Sequence, residues 1–432
     1  MSAALRARAI RLFGTIAESA LRRSPNPHTL WRHTGFLTLW AGQTVSLFGS
    51  RITLLALPLT AVLALHAGAA QMGLLAAAGS APWLVVGLPA GVWVDRLRRR
   101  PLMVAADLGR ALLLFSVPLA AWRGWLHLEQ LYLVQFLVGV LTVVFDVAYQ
   151  SWLPSLIPSE HLVEGNSKLE MSDSVAQIAG PGLGGLLVQA LTAPVAILAD
   201  ALSFLVSALV LGSIRSHEAA PPRADRGSMR REIAEGVRLV LGNPLLRALA
   251  ASSATFNLFD SVLFSVYVLY MVRALGLSPG AIGLVFGLGG VGGLLGALLV
   301  GPITRRLGLG RTMTAAVVLA ALAEVLIAAA GGPVLVAASI LTGAEAIVEF
   351  GAVIFAINAV TLRQMRTPEQ LRGRVNATSR FATWGVGPVG ALLDGALGQT
   401  VGLRQTVLLA GLGTLLAFPW LARLPRGEKG EL

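Results

Sequence analysis

Apolar runs of about twenty residues recur along the whole chain, and each ends at proline, glycine or charged residues. That length is what an α-helix needs to cross the hydrocarbon core of a bilayer, where only helices and closed barrels satisfy their own backbone polar groups. The sequence therefore predicts an all-α membrane protein with twelve transmembrane helices. The predicted spans are 36–63, 71–92, 102–121, 131–153, 172–191, 193–213, 249–271, 280–301, 312–330, 333–360, 380–398 and 404–423.

Composition supports this fold class. Hydrophobic residues make up 55% of the 432-residue chain and charged residues only 13%, so most of the surface must face lipid or other helices. The net charge of +12 would suggest nucleic-acid binding in a soluble protein, but in a membrane protein it reflects basic cytoplasmic loops, and we expect no nucleic-acid partner. The absence of cysteine excludes disulfides, thiol catalysis and cysteine metal sites.

The distribution of basic residues predicts the orientation in the membrane. An even number of spans places both termini on one side. Of the 34 lysines and arginines, three fall in predicted external loops (Arg123, Arg273 and Arg404) and two in spans (Arg51 and Arg110), which leaves 29 on the side of the termini. Because basic residues are retained in the cytoplasm, we expect a multi-pass protein of the cell membrane with cytoplasmic N- and C-termini.

The chain divides into two similar halves. A segment rich in proline and charge, followed by an amphipathic stretch, separates six spans from six, so we expect an N-terminal arm (1–35), a six-helix bundle (36–213), a linker (214–248), a second bundle (249–423) and a tail (424–432). Short motifs repeat between the bundles, which predicts pseudo-symmetry. The repeats are LFGS at 47–50 with LFDS at 258–261, 158–166 with 368–376, 91–96 with 301–306, and 180–181 with 387–388.

The segment GVWVDRLRRR (91–100) resembles the cytoplasmic loop motif of the major facilitator superfamily, although Arg98 stands where the family usually has glycine. The resemblance implies a latch between helices, in which Asp95 caps or pairs with a neighbour and the arginines reach carboxylates. In the second half Arg305 takes the place of Asp95, so no complete second latch is expected. The expected latch residues are Gly91, Asp95, Arg96, Arg99 and Arg100, with Asp146 and Arg374 as partners.

Further stretches, among them VVFDVAYQSWLPSLIP (143–158) and GRVNATSRFATWGVGP (373–388), resemble the branch of enterobactin exporters and macrolide or multidrug-efflux proteins. Gly180, Pro181, Gly184 and Gly185 resemble the span-5 motif of exporters in this superfamily. The resemblance implies the major facilitator fold and export of a small amphipathic compound such as a drug, macrolide or siderophore, driven by proton antiport with alternating access. An importer or symporter of the same fold, a lipid flippase and a membrane-embedded enzyme stay open as alternatives.

Ionisable residues inside spans point to the mechanism, since each is costly in a bilayer unless it has a partner, water or a function. Arg51 lies in span 1, Asp260 in span 7, and Glu345 and Glu349 in span 10. The resemblance implies that spans 1, 4, 7 and 10 line the central cavity. We expect the two glutamates, four residues apart on one face, to exchange protons, and Arg51 to pair with Asp260 across the two halves, with Asp260 either in a fixed ion pair or acting as a proton carrier. The polar residues Asn257 and Gln43 are expected in the same cavity.

Other charged residues are expected to play structural parts. Asp107 and Arg110, three residues apart, are expected to pair along span 3. Asp200, Glu324 and Asp394 lie towards outer ends or on peripheral spans, where we expect them to reach solvent.

The glycine pattern at 287–292 lies inside an apolar run rather than after a strand, so it indicates a helix-packing face and not a nucleotide site. No P-loop motif and no cluster of histidine with acids occurs in the sequence. We therefore expect a transporter rather than an enzyme, with no metal and no other cofactor. The expected partners are a small-molecule substrate, protons and the lipid bilayer, and the protein is expected to be a monomer.

Overall fold

The computed structural model describes residues 30–87, 89, 94, 97–158, 161–214, 229–368 and 371–422. This part of the chain is helical and contains no strand. The first half has α1 (Thr34–Leu59, continued by a π turn over Thr60–Ala64), α2 (Ala69–Val85), α3 (Arg99–Trp122), α4 (Leu128–Leu156), α5 (Leu162–Ala190) and α6 (Ala193–Ser213). There follow α7 (Met229–Gly242), α8 (Pro244–Arg273), α9 (Pro279–Leu307), α10 (Leu309–Ala329), α11 (Val334–Met365), α12 (Arg372–Trp384), α13 (Gly387–Thr400), α14 (Leu403–Thr414), a 3₁₀ turn (Leu415–Ala417) and α15 (Phe418–Leu421).

In the described ranges each predicted span contains helix, although in the second span (71–92) the helix is described only to Val85, and eight helices are long and apolar enough to cross a membrane on their own. The other four predicted spans differ for local reasons. Helix α2 has 17 residues, and α5 carries charged residues such as Glu164 and Asp173 in its first half. The eleventh span is interrupted between α12 and α13, where Pro388 lies in the first turn of α13, and the twelfth ends in the short α15.

The same helix pairs pack in both halves. In the first half α1 packs on α5 and α6, α3 packs on α4 and α6, and α2 packs on α4. In the second half α8 packs on α13 and α14, α10 packs on α11 and α14, and α9 packs on α11. Two helix pairs join the halves: α2 packs on α13, and α5 packs on α9. The two contacts are related by the same pseudo-symmetry. Pseudo-symmetry thus extends to the packing, whereas the boundaries proposed for arm, linker and tail stay predictions.

The glycine contacts between the halves set the register of the repeat. A Cβ atom on Gly283 of α9 would lie 2.5 Å from the carbonyl oxygen of Pro181, and one on Gly73 of α2 would lie 2.6 Å from that of Ala391. Gly73 and Gly283 are 210 residues apart, and so are Pro181 and Ala391. The packing counterpart of Pro181 is therefore Ala391. The matches of 180–181 with 387–388, at 207 residues, and of 47–50 with 258–261, at 211 residues, were wrong, because so short a motif cannot fix a helical register.

One end of the molecule is closed by contacts that cross the two halves. The guanidinium of Arg273, at the end of α8, donates from Nη2 to the carbonyl oxygens of His66 and Ala67, each at 2.9 Å. The side-chain amide oxygen of Gln189 on α5 accepts from the backbone N–H of Gly280 on α9 at 2.9 Å. This end carries the loops predicted to be external.

The amphipathic segment predicted in the linker is helical, as α7, and it packs on α12. Glu235 accepts a hydrogen bond from Arg374 at 2.9 Å, and Val240 is buried with Val375 and Leu246. Val237, three residues before Val240 on the same helix, is exposed. Helix α7 is thus attached to the second half.

Candidate functional site

A cavity of about 410 Å³ between the two halves brings together four residues predicted from the sequence. Arg51, Asp260, Glu345 and Glu349 all line it, together with the aromatic side chains of Phe264, Tyr267, Phe286 and Trp384. It adjoins a second cavity of about 560 Å³, which shares Asp260, Glu349 and Trp384 and extends along α11 to Arg363 and Arg380. The charged lining of both cavities is thus concentrated on α8, α11 and α12 of the second half.

The glycines of α9 place the two glutamates. A Cβ atom on Gly289 would collide with the side chain of Glu345, and one on Gly292 would collide with the carbonyl oxygen of Ala346. Because only glycine allows this approach of α9 to α11, the glycine pattern at 287–292 is a packing face, as predicted. Glu345 is 9% exposed, the hydroxyl of Tyr267 lies beside its carboxylate, and Glu349 follows one turn later.

The acids in the cavity do not form a metal site. In the described ranges, no group of three or more histidine, aspartate or glutamate side chains is close enough to hold a metal ion. Asp260, Glu345 and Glu349 have no ion-pair partner within those ranges. The arrangement is suited to carboxylates that gain and lose protons in a cavity where each affects the charge of the others.

Arg51 forms its ion pair with Asp173 on α5, and not with Asp260 as predicted. Its Nη2 atom lies 2.9 Å from Oδ1 of Asp173. Gly180, one of the predicted motif glycines, leaves space for the aliphatic part of Arg51, since a Cβ atom there would collide with it. The arginine therefore runs along the helix next to its own instead of crossing to the other half. Asp173 was not predicted as a site residue, because it lies at the start of the predicted span 172–191, where a charged side chain is expected at the membrane surface.

The remaining glycines of the predicted exporter motif make close helix contacts. Gly184 faces the backbone of Ile52 on α1, and Gly185 faces Gly283 on α9, where a Cβ atom would lie 2.9 Å from the Cα atom of Gly283. Helix α5, which contains Pro181, is thereby held tightly between α1 of its own half and α9 of the other.

Two polar residues expected in the cavity are in different places. Asn257 lines the adjoining cavity, and its side-chain amide donates to the carbonyl oxygen of Ser253 at 3.0 Å. Gln43 does not join the cavity residues. Its side chain is buried against α6, where its Nε2 atom lies 3.5 Å from the hydroxyl of Ser207.

The predicted latch is only partly described. Gly91, Asp95 and Arg96 lie outside the described residues, while Arg99 and Arg100 begin α3. Arg100 donates from Nε to the carbonyl oxygen of Leu211 at 2.9 Å and also bonds the carbonyl of Gly212, so it caps the C-terminus of α6.

Of the two expected latch partners, Arg374 forms its ion pair elsewhere, and the role of Asp146 stays a prediction. Arg374 pairs with Glu235 of α7 rather than with Asp146, because α7 packs on α12 at this position. Among the described residues, the cations that act on Asp146 are Arg110 of its own half and Arg380 of the other half, and its predicted contact with Arg96 lies outside them.

Asp107 and Arg110 form the ion pair predicted from their spacing, and both are buried. The guanidinium of Arg110 lies between two aromatic rings, 4.4 Å from the centroid of Phe145 and 4.1 Å from that of Phe204. Such stacking on both faces suits the flat, weakly hydrated guanidinium group. The pair is a structural element in the interior of the first bundle.

Three acids expected at the surface are instead buried: Asp200 is 2% exposed, and Glu324 and Asp394 are not exposed at all. Each accepts a hydrogen bond from a hydroxyl, namely from Ser203, Thr414 and Ser265 respectively. The expectation failed because hydropathy and position along a span do not report which face of a peripheral helix turns towards the bundle.

Comparisons with known proteins agree with this fold. The sequence matches the family model described as Major Facilitator Superfamily over residues 39–382 and 250–432. The multidrug efflux pump Tap of Mycolicibacterium fortuitum is 31% identical over 410 residues, 92% of this chain and 97% of that protein. Macrolide efflux protein A of Streptococcus pyogenes is 28% identical over 220 residues, 50% of this chain and 53% of that protein. A mutant of the nucleoside transporter NupG has the same fold, with a TM-score of 0.78 at 13% identity over 90% of this chain and 99% of that one.

Proposed function

The chain belongs to the major facilitator superfamily of membrane transporters, and from this membership we propose that it exports a small amphipathic organic compound in exchange for protons. It is a multi-pass membrane transporter with drug-efflux relatives, and not an enzyme. The observation that carries the proposal is the cavity between the two halves, which holds Asp260, Glu345 and Glu349 beside four aromatic side chains. Aromatic and carboxylate groups together suit a partly apolar substrate and a proton.

The contacts between the halves support alternating access. At one end the halves are joined by the bonds of Arg273 and Gln189 and by the glycine contacts of α2 with α13 and α5 with α9. Such contacts exist in one state and must break in the other, so that the cavity opens to each side in turn. With the orientation predicted from the basic residues, the closed end is external, both termini are cytoplasmic and the protein lies in the cell membrane as a monomer.

Proton coupling is assigned to the carboxylates of the second half. Asp260 lines both cavities described above, and no ion pair within the described ranges holds it in one protonation state. Arg51, which lines the same cavity, forms its ion pair with Asp173. Moving one proton through 100 mV yields about 2.3 kcal/mol, which sustains a substrate gradient of about fifty-fold.

The substrate class follows from the relatives and from the lining. Tap is named as a multidrug efflux pump and the streptococcal relative as a macrolide efflux protein. The aromatic rings of Phe264, Phe286 and Trp384 offer this chain's substrate an apolar surface beside the acids. Drugs, macrolides and siderophores of amphipathic character fit that description.

Whole-cell accumulation tests the proposal. Efflux-deficient cells that express the protein are expected to accumulate less of a macrolide or dye than control cells, and a protonophore is expected to abolish the difference. Asp260→Asn, at normal expression, is expected to lose export in the same way. Higher accumulation in expressing cells would identify an importer, and no change with any compound would leave lipid translocation as the activity to examine.

A further inference from the structure

A further cavity, of about 290 Å³, lies mainly in the first half, between α1, α2, α4 and α6, and Phe264 and Ser265 of α8 close one side of it. Its polar lining includes the hydroxyls of Ser50 and Thr53, the amide of Gln135 and the carboxylate of Asp200, and Trp83 contributes an aromatic wall. A neighbouring cavity of about 330 Å³ shares Gln135 and Trp83 with it and also touches Asp260. The first-half cavity therefore borders the central space between the halves.

This cavity is the pseudo-symmetric counterpart of the acidic one. Lining positions 50, 57, 76, 135, 138 and 139 correspond, 210 residues further on, to lining positions 260, 267, 286, 345, 348 and 349 of the acidic cavity. The helix contact behind the site repeats as well, because Gly79 faces the side chain of Gln135 just as Gly289 faces that of Glu345. The same backbone frame thus presents two different sets of side chains.

The two cavities differ in charge. Where the second half has Asp260, Glu345 and Glu349, the first half has Ser50, Gln135 and Gly139. The hydroxyl of Ser50 stands in the place of one carboxylate and the amide of Gln135 in the place of another, and Gly139 has no side chain in the place of the third. Neither a hydroxyl nor an amide exchanges a proton at physiological pH, but each can both donate and accept a hydrogen bond.

One carboxylate remains at the edge of the neutral cavity. Asp200 accepts a hydrogen bond from Ser203 at 3.0 Å, and the cation that acts on it, Arg110, is already paired with Asp107. Asp200 itself is in no ion pair within the described ranges. It is available as a hydrogen-bond acceptor.

A second observation points to a ligand. The hydroxyl of Thr53 lines this cavity and its residue is only 8% exposed; within the described residues its Oγ1 atom lies near the carboxylate of Asp200 but makes no hydrogen bond of standard geometry. A buried polar group without a partner is costly, so a polar group that enters the cavity gains the bond that the protein leaves unmade.

We propose that the first-half cavity is a neutral subsite that binds a hydroxyl-bearing, uncharged part of the transported molecule, while its acidic counterpart binds protons. Gln135 and Ser50 are its specificity-determining residues. The inference rests on the proposed export function, because it divides the work of that function between two cavities built on one repeated frame. It goes further by assigning hydrogen-bonding selectivity to residues of α1 and α4.

Binding to the purified full-length protein tests the subsite with two probes. Erythromycin carries several hydroxyl groups, whereas tetraphenylphosphonium is aromatic and has no hydrogen-bonding group. We expect Gln135→Ala and Ser50→Ala each to raise the dissociation constant for erythromycin about tenfold, equivalent to about 1.4 kcal/mol, the upper part of the range for one neutral hydrogen bond. Both variants are expected to bind tetraphenylphosphonium within about twofold of the unmodified protein, since that probe has no bond to lose.

Gln130→Ala is the matched control, because Gln130 lies on the same helix and its amide bonds Ser116 outside the cavity. The subsite is refuted if Gln135→Ala and Ser50→Ala bind erythromycin as the unmodified protein does, or if they weaken both probes equally. Transport by the unmodified protein in vesicles separates the two claims. If it moves neither probe, the proposed function fails and the subsite with it, whereas transport with unchanged affinity in both variants contradicts the subsite alone.

Discussion

The guanidinium of Arg51 lies 2.9 Å from the carboxylate of Asp173, on the neighbouring helix of the same half. Arg51 is the basic side chain among the described residues that line the central cavity, and the pair holds it on Asp173, while its charge still acts on Glu349. Within the described ranges Asp260, Glu345 and Glu349 have no ion-pair partner, which is what the proposed proton exchange requires. The ion pair is partly exposed, at 26% and 35% for the two side chains, so its role concerns charge placement more than stability.

Replacing Asp173 tests this role. Asp173→Asn is expected to release Arg51, whose guanidinium can then pair with an acid of the cavity and lower transport about tenfold, the effect of about 1.4 kcal/mol. The free energy of unfolding is expected to change by no more than about 1 kcal/mol, because partly exposed ion pairs contribute little to stability. Asp173→Glu, which keeps the charge, is the control. Unchanged transport by Asp173→Asn would show that Arg51 does not need its partner.

Arg273 is predicted to hold the loop end closed. The equivalent position of the first half, 210 residues earlier, is Leu63, so Arg273→Leu gives the second half the side chain of the first. The loss of its bonds to His66 and Ala67 is expected to open that end more often. Because the natural chain has no cysteine, a single Ala69→Cys at the seam reports the opening by maleimide labelling. We expect labelling to be about tenfold faster, as for the loss of one charged hydrogen bond.

Arg404→Leu is the matched control for this experiment. Arg404 also lies at the loop end and donates to a carbonyl oxygen, that of Ala328, but within its own half. Equal labelling rates in the Arg273→Leu and Arg404→Leu proteins would mean that the bonds of Arg273 do not hold the halves together.

The packing of α9 on α11 is predicted to tolerate no side chain at Gly292. Gly292→Ala places a methyl group against the carbonyl oxygen of Ala346, and such overpacking is expected to cost about 1–3 kcal/mol in unfolding free energy. Gly343→Ala, on α11 with open space around it, is expected to be neutral or to stabilise by up to about 1 kcal/mol. Thermal unfolding in detergent measures both. Equal melting temperatures would indicate that the helices can separate without penalty.

The buried pair of Asp107 and Arg110 is predicted to behave as one unit. Asp107→Asn or Arg110→Gln alone leaves an uncompensated charge in the first bundle and is expected to destabilise by about 3–5 kcal/mol. The double variant, which leaves no charge, is expected to be more stable than either single one. Additive losses in melting measurements would mean that the two side chains stabilise the fold independently.

The sequence was sufficient to predict contacts that depend only on the spacing of residues along one helix. The three-residue separation of Asp107 and Arg110 predicted their ion pair, and the glycines at 287–292 predicted a packing face, because both depend only on helical geometry. The convergence of Asp260 with Glu345 and Glu349 was predicted from the resemblance to a family whose cavity-lining spans are known.

Contacts between helices were harder to predict. Asp200, Glu324 and Asp394 are buried, although their positions along the spans suggested solvent, because burial depends on the rotation of each helix in its bundle. Arg51 pairs with Asp173 and Arg374 with Glu235, since a long side chain bonds the acid that packing brings near it. The sequence repeats gave offsets of 207, 210 and 211 residues, and the glycine contacts select 210, the offset that pairs Gln135 with Glu345.

Proton movement on addition of substrate tests the central claim most directly. The protein is reconstituted into vesicles that contain a pH-sensitive dye, and erythromycin is added in the absence of any other gradient. The account predicts that substrate movement in one direction drives protons in the other, and that Asp260→Asn abolishes the signal while erythromycin still binds. Substrate transport with no change in internal pH, or an undiminished signal from Asp260→Asn, would contradict proton exchange at this acidic cavity.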